Sequence, residues 1–379
     1  MNFSYKIKQF NAYIKLVLRK FSYFFEYLFW LIFSFNKFKS FPKEVSKILI
    51  INYGAIGDVF SSMKTTYNLA LSNKNIDFFI LVDDKSYKEI KILEKYLNFR
   101  ILSEKDIKKN KFDVTIIFNP SEHIKKYLDR LGFIVGNEYH SLIASLKSFN
   151  KLYLNRKIPP LWRHKMDQEM EIAKLAKIKI NEPLRAVSKI NNSNVKNSLN
   201  KKIKRFAIIH PSGRNFAQLI QQEKIPAMAW PLGRFAKIAD YIIEKYKLDV
   251  IITGSKEESF IGEKVISYMK NKNNVINMSG KYSIAELPSL LSLSSLVISI
   301  DTSAVHIAEF VGTPVIVLFG PTFPEEIGAY GNPKTQSNLC HPEMCIRDRK
   351  KGASYDNSNI CMSSISIEEV KNAIDRLMK

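Results

Sequence analysis

The sequence predicts an α/β protein made of two doubly wound parallel-sheet halves facing a cleft, preceded by a basic, aromatic helical extension. Three observations carry this. Short apolar runs alternate with amphipathic stretches in two series, one starting at Lys47 and one at Phe206. The runs are apolar almost throughout, as strands covered on both faces are. A polar, Asn-rich span at 187–205 separates the series, and 379 residues suit two domains.

The N-terminal extension, residues 1–45, comes first in the chain. Residues 1–47 hold nine basic and two acidic side chains. Within them, 21–35 carries Phe, Tyr or Trp at nine of fifteen positions, with Glu26 among them. As a helix it is about 22 Å long, short of a hydrocarbon core of about 30 Å. Aromatic rings favour the headgroup level and flanking lysines favour anionic lipid. The expectation is a helix lying on an anionic membrane surface, with a packed helix or a short span as the alternatives. A signal peptide is disfavoured, because the apolar stretch is aromatic and no small-residue cleavage site precedes Pro42.

The first half, 46–186, shows strand patterns at 47–52, 76–82, 114–118 and 133–135, with helical patterns at 60–73 and 86–97. After the linker at 187–205, the second half, 206–365, shows strands at 206–210, 250–253, 275–278, 296–300 and 315–319. Helical patterns fill 232–245, 258–270 and 284–293. A last helix within 366–379 places Ile367, Val370, Ile374 and Leu377 at helical spacing. Two such halves open a cleft at the carboxyl ends of their strands.

Composition narrows the function classes. Apolar residues at 46% exclude general disorder, and no run of about 20 clean apolar residues suggests a multi-span membrane protein. Three cysteines exclude a disulfide scaffold. The net charge of +22 speaks of anionic partners or of compositional drift toward lysine. Of that charge, +7 lies in residues 1–47 beside the aromatic run. No RNA-stacking signature and no Cys/His finger spacing accompanies it, so no nucleic-acid partner is expected.

Four segments at strand ends are candidates for chemistry. Gly54-Ala-Ile-Gly57-Asp58 follows the first strand, and its glycines allow a sharp turn close to a ligand. The spacing is not the G-x-G-x-x-G of dinucleotide binders. Asp58 reads either as a helix cap or as a catalytic carboxylate. Asp301-Thr302-Ser303-Ala304-Val305-His306 follows another apolar strand, where hydroxyls, backbone N–H groups and a helix N-terminus suit a phosphate. Asp301 and His306 read as ligand contacts or as a cap and an ordinary helix histidine. Gly312-Thr-Pro314 leads into a strand that ends at Gly320-Pro-Thr-Phe-Pro324. In His210-Pro-Ser212-Gly213-Arg214, Ser212 and Arg214 can donate to a phosphate.

Taken in order, the segments 48–58, 230–235, 280–287, 301–306 and 312–322 resemble the ADP-heptose:lipopolysaccharide heptosyltransferases of glycosyltransferase family 9. The resemblance covers about residues 46–378. It implies a GT-B fold of two Rossmann-like domains, acceptor side first and nucleotide-sugar side second. It implies inverting sugar transfer without an essential metal or cofactor, from an ADP-linked donor to a lipid-linked or envelope glycan such as the lipopolysaccharide core. With the basic aromatic extension, which lies outside the resemblance, the expectation is peripheral attachment at the cytoplasmic face of the inner membrane. Carried onto this chain, the general base is Asp58. The donor site is Ser212, Gly213, Arg214, Glu258 (with Glu257 as a rival), Asp301, Thr302, Ser303, Ala304 and His306.

Two departures stand out. Ser303 replaces the family's Gly, and Met228 stands where the family has a Lys two residues before Trp-Pro, so Lys224 or Arg214 takes that role. Cys340, Cys345 and Cys361, with His341, resemble a Cys-bearing tail of some members. Their spacing favours reduced cytosolic thiols over a zinc site. The rival functions are an NAD-type oxidoreductase or epimerase and a non-catalytic sugar-nucleotide-binding protein.

Overall fold

The computed structural model describes residues 40–119, 126–137, 156–158, 164–187, 190, 193–199, 203–213, 215–344 and 359–379. The aromatic extension at 1–39 lies outside the described residues, so the expected membrane-surface helix at 21–35 does too. Among the described residues, no helix is long and apolar enough to cross a membrane.

Among the described residues, twelve strands form two six-stranded sheets, and every pairing is parallel. The first contains β1 Lys47–Asn52, β2 Asp77–Leu81, β3 Arg100–Leu102, β4 Val114–Asn119, β5 Phe133–Asn137 and β6 Arg156–Ile158. The second contains β7 Phe206–His210, β8 Asp249–Ile252, β9 Val275–Asn277, β10 Leu296–Ile300, β11 Val315–Leu318 and β12 Gln336–Leu339. The orders are β3-β2-β1-β4-β5-β6 and β12-β11-β10-β7-β8-β9. These are one pattern used twice, the dinucleotide-fold order with its switch point between the first and fourth strands. Ile48 to Ile51 and Leu296 to Ile298 are fully buried, the double-faced burial that their unbroken apolar runs require.

Five helices position the site: α1 Ile56–Ser72, α2 Lys165–Leu175, α3 Leu232–Tyr246, α4 Ser303–Val311 and α5 Ile367–Leu377. Helix α1 starts four residues before the expected 60, because Gly57 and Asp58 already belong to it. The stretch 86–97 is an α-helix, Asp84–Ile90, followed by a 3-10 segment, Lys91–Tyr96. Asp83 starts that helix by accepting from the N–H groups of Lys85 and Ser86.

The halves meet through α1 and α4, the helices that leave the two switch points. Phe60 and Phe310 pack edge to face with centroids 5.4 Å apart, and both are fully buried. Beside them Lys64 faces Glu309 at 3.9 Å, both almost fully buried. Described parts of the expected linker at 187–205 pack on the second half. Val187 donates its N–H to Phe310 O at 2.7 Å, and the helix Ser193–Ser198 buries Val195.

Trp230, fully buried on Phe235, donates from Nε1 to Ile365 O at 2.9 Å. Arg234 Nη1 donates to the same carbonyl at 2.6 Å. The Trp-Pro segment therefore fastens α5 to the second half.

The expectation of three reduced thiols needs correction. Cys361 is disulfide-bonded; Cys340 keeps its thiol. Spacing along the chain cannot report the Cβ approach of about 4 Å that a disulfide needs. Among the described residues, no group of three or more His, Cys, Asp or Glu side chains could hold a metal ion.

Candidate active site

The turn after β1 is shaped by a residue the sequence did not single out. Asn52, buried at the strand's end, accepts from Gly54 N at 2.7 Å and donates to Asp58 O at 3.0 Å. A Cβ on Gly54 would sit 2.6 Å from both Asn119 Nδ2 and Asp58 Cβ, so only glycine lets the turn close this tightly. A Cβ on Gly57 would lie 2.9 Å from His306 Cδ2 and 3.3 Å from Ser303 Cα. Gly57 is thus where the first half touches the Asp301–His306 loop of the second.

Asp58 is the third residue of α1, not its cap. Ala55 holds the cap position, and Asp58 Oδ2 accepts from Ala55 N at 3.0 Å. Its other oxygen, Oδ1, receives Lys165 Nζ at 2.5 Å. Burial pushes the carboxyl's pKa up, but Lys165, His306 and the Ala55 N–H outweigh it, and the net shift is downward. Asp58 is therefore ionised at neutral pH.

Across the cleft, β10 ends at Ile300 and α4 begins at Ser303. Thr302 is the cap, its Oγ1 accepting from Ala304 N at 3.3 Å. That leaves Asp301 outside the cap and its carboxyl pushed up by burial, with Asp58 acting in the same direction. His306, one turn into α4, has Nδ1 3.3 Å from Glu309 Oε2. Glu309 is buried and also receives Tyr330 N at 2.6 Å.

These turns line one cavity of about 1080 Å³ between the halves. From the first half it takes Ala55 to Asp58; from the second it takes Gly213, Ser255 to Glu258, Asp301 to Ser303 and His306. Glu258 is buried and accepts from Ser255 N at 2.7 Å, while Glu257 lines the cavity from a more exposed position. His210 lies at the cavity's base, with Nδ1 2.9 Å from Thr253 Oγ1; burial lowers its pKa to about 4, so the ring is neutral.

The remaining expected site residues distribute as follows. Ser212 is buried just behind Gly254, its Oγ 3.2 Å from where a Cβ there would be. Ala304 is buried in α4 and does not line the cavity. Lys224 is exposed, bonded to Gln222 at 3.2 Å, and does not reach the cavity. Arg214 lies outside the described residues. The structure adds Lys256 to the cavity wall and Lys165 as the partner of Asp58. Lys165 is 107 residues from Asp58, and no local pattern signals their contact.

Two Rossmann-like domains closing on a single cleft make this a GT-B protein. The chain belongs to glycosyltransferase family 9 (heptosyltransferase), whose profile matches residues 131–358, more than half of it. It is similar to lipooligosaccharide heptosyltransferase 2 of Haemophilus influenzae, 28% identical over 138 residues, 36% of this chain and 40% of that protein. It is also similar to lipopolysaccharide heptosyltransferase 2 of Escherichia coli, 22% identical over 39% of this chain and 43% of that one. The matched region thus spans less than half the length of these relatives.

Solved structures share the fold. A family 9 glycosyl transferase from Veillonella parvula superposes with a TM-score of 0.70 at 18% identity, over 90% of this chain and 99% of that one. The E. coli heptosyltransferase WaaC with ADP superposes at 0.62 and 15% identity, over 87% and 99%.

Proposed function

We propose that this protein transfers a heptose or related sugar from an ADP-linked donor to a lipopolysaccharide core or other envelope glycan, with inversion at the anomeric carbon. Asp58 takes the proton of the acceptor hydroxyl as that oxygen bonds to the anomeric carbon. The bond from that carbon to the diphosphate breaks, and the nucleoside diphosphate leaves with its electron pair. One observation carries the reading: an ionised Asp58 borders the same cavity as the capped N-terminus of α4.

Each element of the cavity then has a task. Thr302, Ser303 and the N-terminus of α4 meet the negative charge that grows on the leaving diphosphate. Lys256 adds a cation to that wall, and Glu258 or Glu257 accepts from the ribose hydroxyls. The names of the similar proteins support heptose and the lipopolysaccharide acceptor. No metal is needed in this scheme, because the protein's own donors face the diphosphate, and a chelator leaves the rate unchanged. Residues 1–45 hold the enzyme at the cytoplasmic face of the inner membrane; their deletion releases it from anionic vesicles.

The test is a donor panel. The purified protein is incubated with ADP-, UDP- and GDP-linked sugars, and nucleoside diphosphate release and thermal stabilisation are followed. ADP-heptose is expected to act and to stabilise. Turnover confined to a UDP or GDP sugar would remove the donor assignment, and tight NAD binding with no sugar-nucleotide binding would remove the reaction class.

A further inference from the structure

We propose that Lys165 is the positioning residue for the Asp58 carboxylate, and that the second half of the molecule fixes Lys165 in place. The inference rests on the reading of Asp58 as proton acceptor.

Lys165 opens α2, and its Nζ lies 2.5 Å from Asp58 Oδ1. Asp58 lines the cavity and Lys165 does not. The Lys165 side chain is 20% exposed, and it bears on the cavity through the carboxylate it holds. One turn further along α2, buried Glu169 accepts from Ser62 Oγ and Thr65 Oγ1, each at 2.5 Å. Those hydroxyls lie one and two turns beyond Asp58 on α1, so α2 grips α1 at two levels. With Oδ1 held by Lys165 and Oδ2 by Ala55 N–H, the plane of the carboxylate is set. Lone pairs remain on both oxygens for an incoming proton.

The start of α2 is held from the other half. His164 Nε2 is 2.9 Å from Gly328 O, and its ring lies 4.5 Å from the Tyr330 ring. Tyr330 OH donates to Asp167, two residues past Lys165. Gly328 and Tyr330 stand between β11 and β12, in the half assigned to the donor. The base is thus set by a cation whose own helix is fastened across the cleft.

The titratable groups around Asp58 are Lys165 on α2, His306 on α4, and the carboxyls of Glu169 and Asp301. Against the upward push of burial, Lys165 contributes first to lowering the Asp58 pKa, by charge and by hydrogen bond.

The test is a ¹³C titration of the Asp58 carboxyl in the full-length protein, assigned with Asp58→Asn. Lys165→Met is expected to move the midpoint up by about one to three pH units, and Lys165→Arg to restore it. Tyr330→Phe, which loosens the start of α2, moves it the same way by less. With ADP-heptose as donor, Lys165→Met lowers kcat by about a hundredfold with the donor KM unchanged, as a misplaced catalytic group does.

An unmoved midpoint in a folded Lys165→Met protein overturns the proposal. If Lys165→Met does not fold, Lys165→Gln decides by the same titration. A fully active Asp58→Asn variant sinks the reading of Asp58 as base, and the titration still reports on Lys165 separately.

Discussion

The turns after β1 and β10 both border the switch point of their sheets, β1 as a first strand and β10 as a fourth, yet they present opposite chemistry. After β1 the cap is Ala55, which has no side chain to offer, and Asp58 reaches back to its N–H. The result is a fixed negative charge. After β10 the cap is Thr302, whose hydroxyl accepts from Ala304 N, and the acidic residue stays outside the helix. The result is a helix N-terminus that favours an anion. One scaffold thus yields an ionised carboxylate on one wall and a capped helix N-terminus on the other, and the identity of the cap residue decides which.

Asp58→Asn is the substitution that should break this division most completely. It keeps the shape of the turn and removes the charge, so sugar transfer should fall about a thousandfold, within the range for loss of a general base. Nucleotide binding, which our proposal assigns to the other wall, should persist in calorimetry. Equal loss of both would mean that the two turns are not separate in role.

The two walls are joined by Glu309 and Lys64, and their loss should show in stability. Burial pushes the Glu309 carboxyl up, but His306, Lys64 and the Tyr330 N–H outweigh it, and its pKa is lowered. A carboxylate with a depressed folded pKa stabilises above its unfolded value, near 4.5, and that stability is lost as pH falls through the folded value. Glu309→Gln leaves Lys64 buried opposite a neutral group, which should cost about 3 kcal/mol at pH 7. In denaturant titrations the gap from wild type should close below about pH 4.5. A gap that does not change with pH would remove the charge from the explanation.

Gly57→Ala probes the contact between the turns directly. Its Cβ would come 2.9 Å from His306 Cδ2 and 3.3 Å from the backbone of Ser303. The ring can give a little; the backbone can give less. Transfer should drop about tenfold to a hundredfold, with about 1–3 kcal/mol of stability lost to overpacking. Unchanged kinetics would mean that the two halves close without this contact.

The sequence made one part of this comparison easy to read and hid the other. The strands leading into the turns, β1, β7 and β10, are mostly apolar runs (KILIIN, FAIIH and LVISI) followed within two residues by Gly54, Ser212 and Asp301, and they appear in the structure at the expected residues. Of the four edge strands, β9 lies where a strand was expected, while β3, β6 and β12 carry no such signal. They are three or four residues long and include Arg, Lys, Gln, Ser or Asn, so neither length nor pattern marks them. Asp58 and Asp301 were visible as types, but whether each capped a helix depended on where the helix began. Lys165, Glu309 and Lys256 matter through contacts made across the chain or across the cleft, and helical or strand periodicity carries no trace of such contacts.

The smallest expected effect concerns which cation serves the donor wall. Lys256 lines the cavity beside Glu257 and Glu258; Lys224 is exposed and bonded to its neighbour Gln222. A lysine beside a phosphate in a partly open cleft contributes a modest, charge-assisted bond of about 1.5 kcal/mol, or roughly tenfold in affinity. Lys256→Ala should therefore weaken ADP binding about tenfold, and the weakening should shrink at high salt. Lys224→Ala should leave ADP affinity within about twofold, as a surface substitution away from the site does. The reverse pattern would show that the segment bearing Lys224 folds inward over the nucleotide. The donor wall would then acquire its charge only on binding, unlike the Asp58 wall, whose ion pair is already formed.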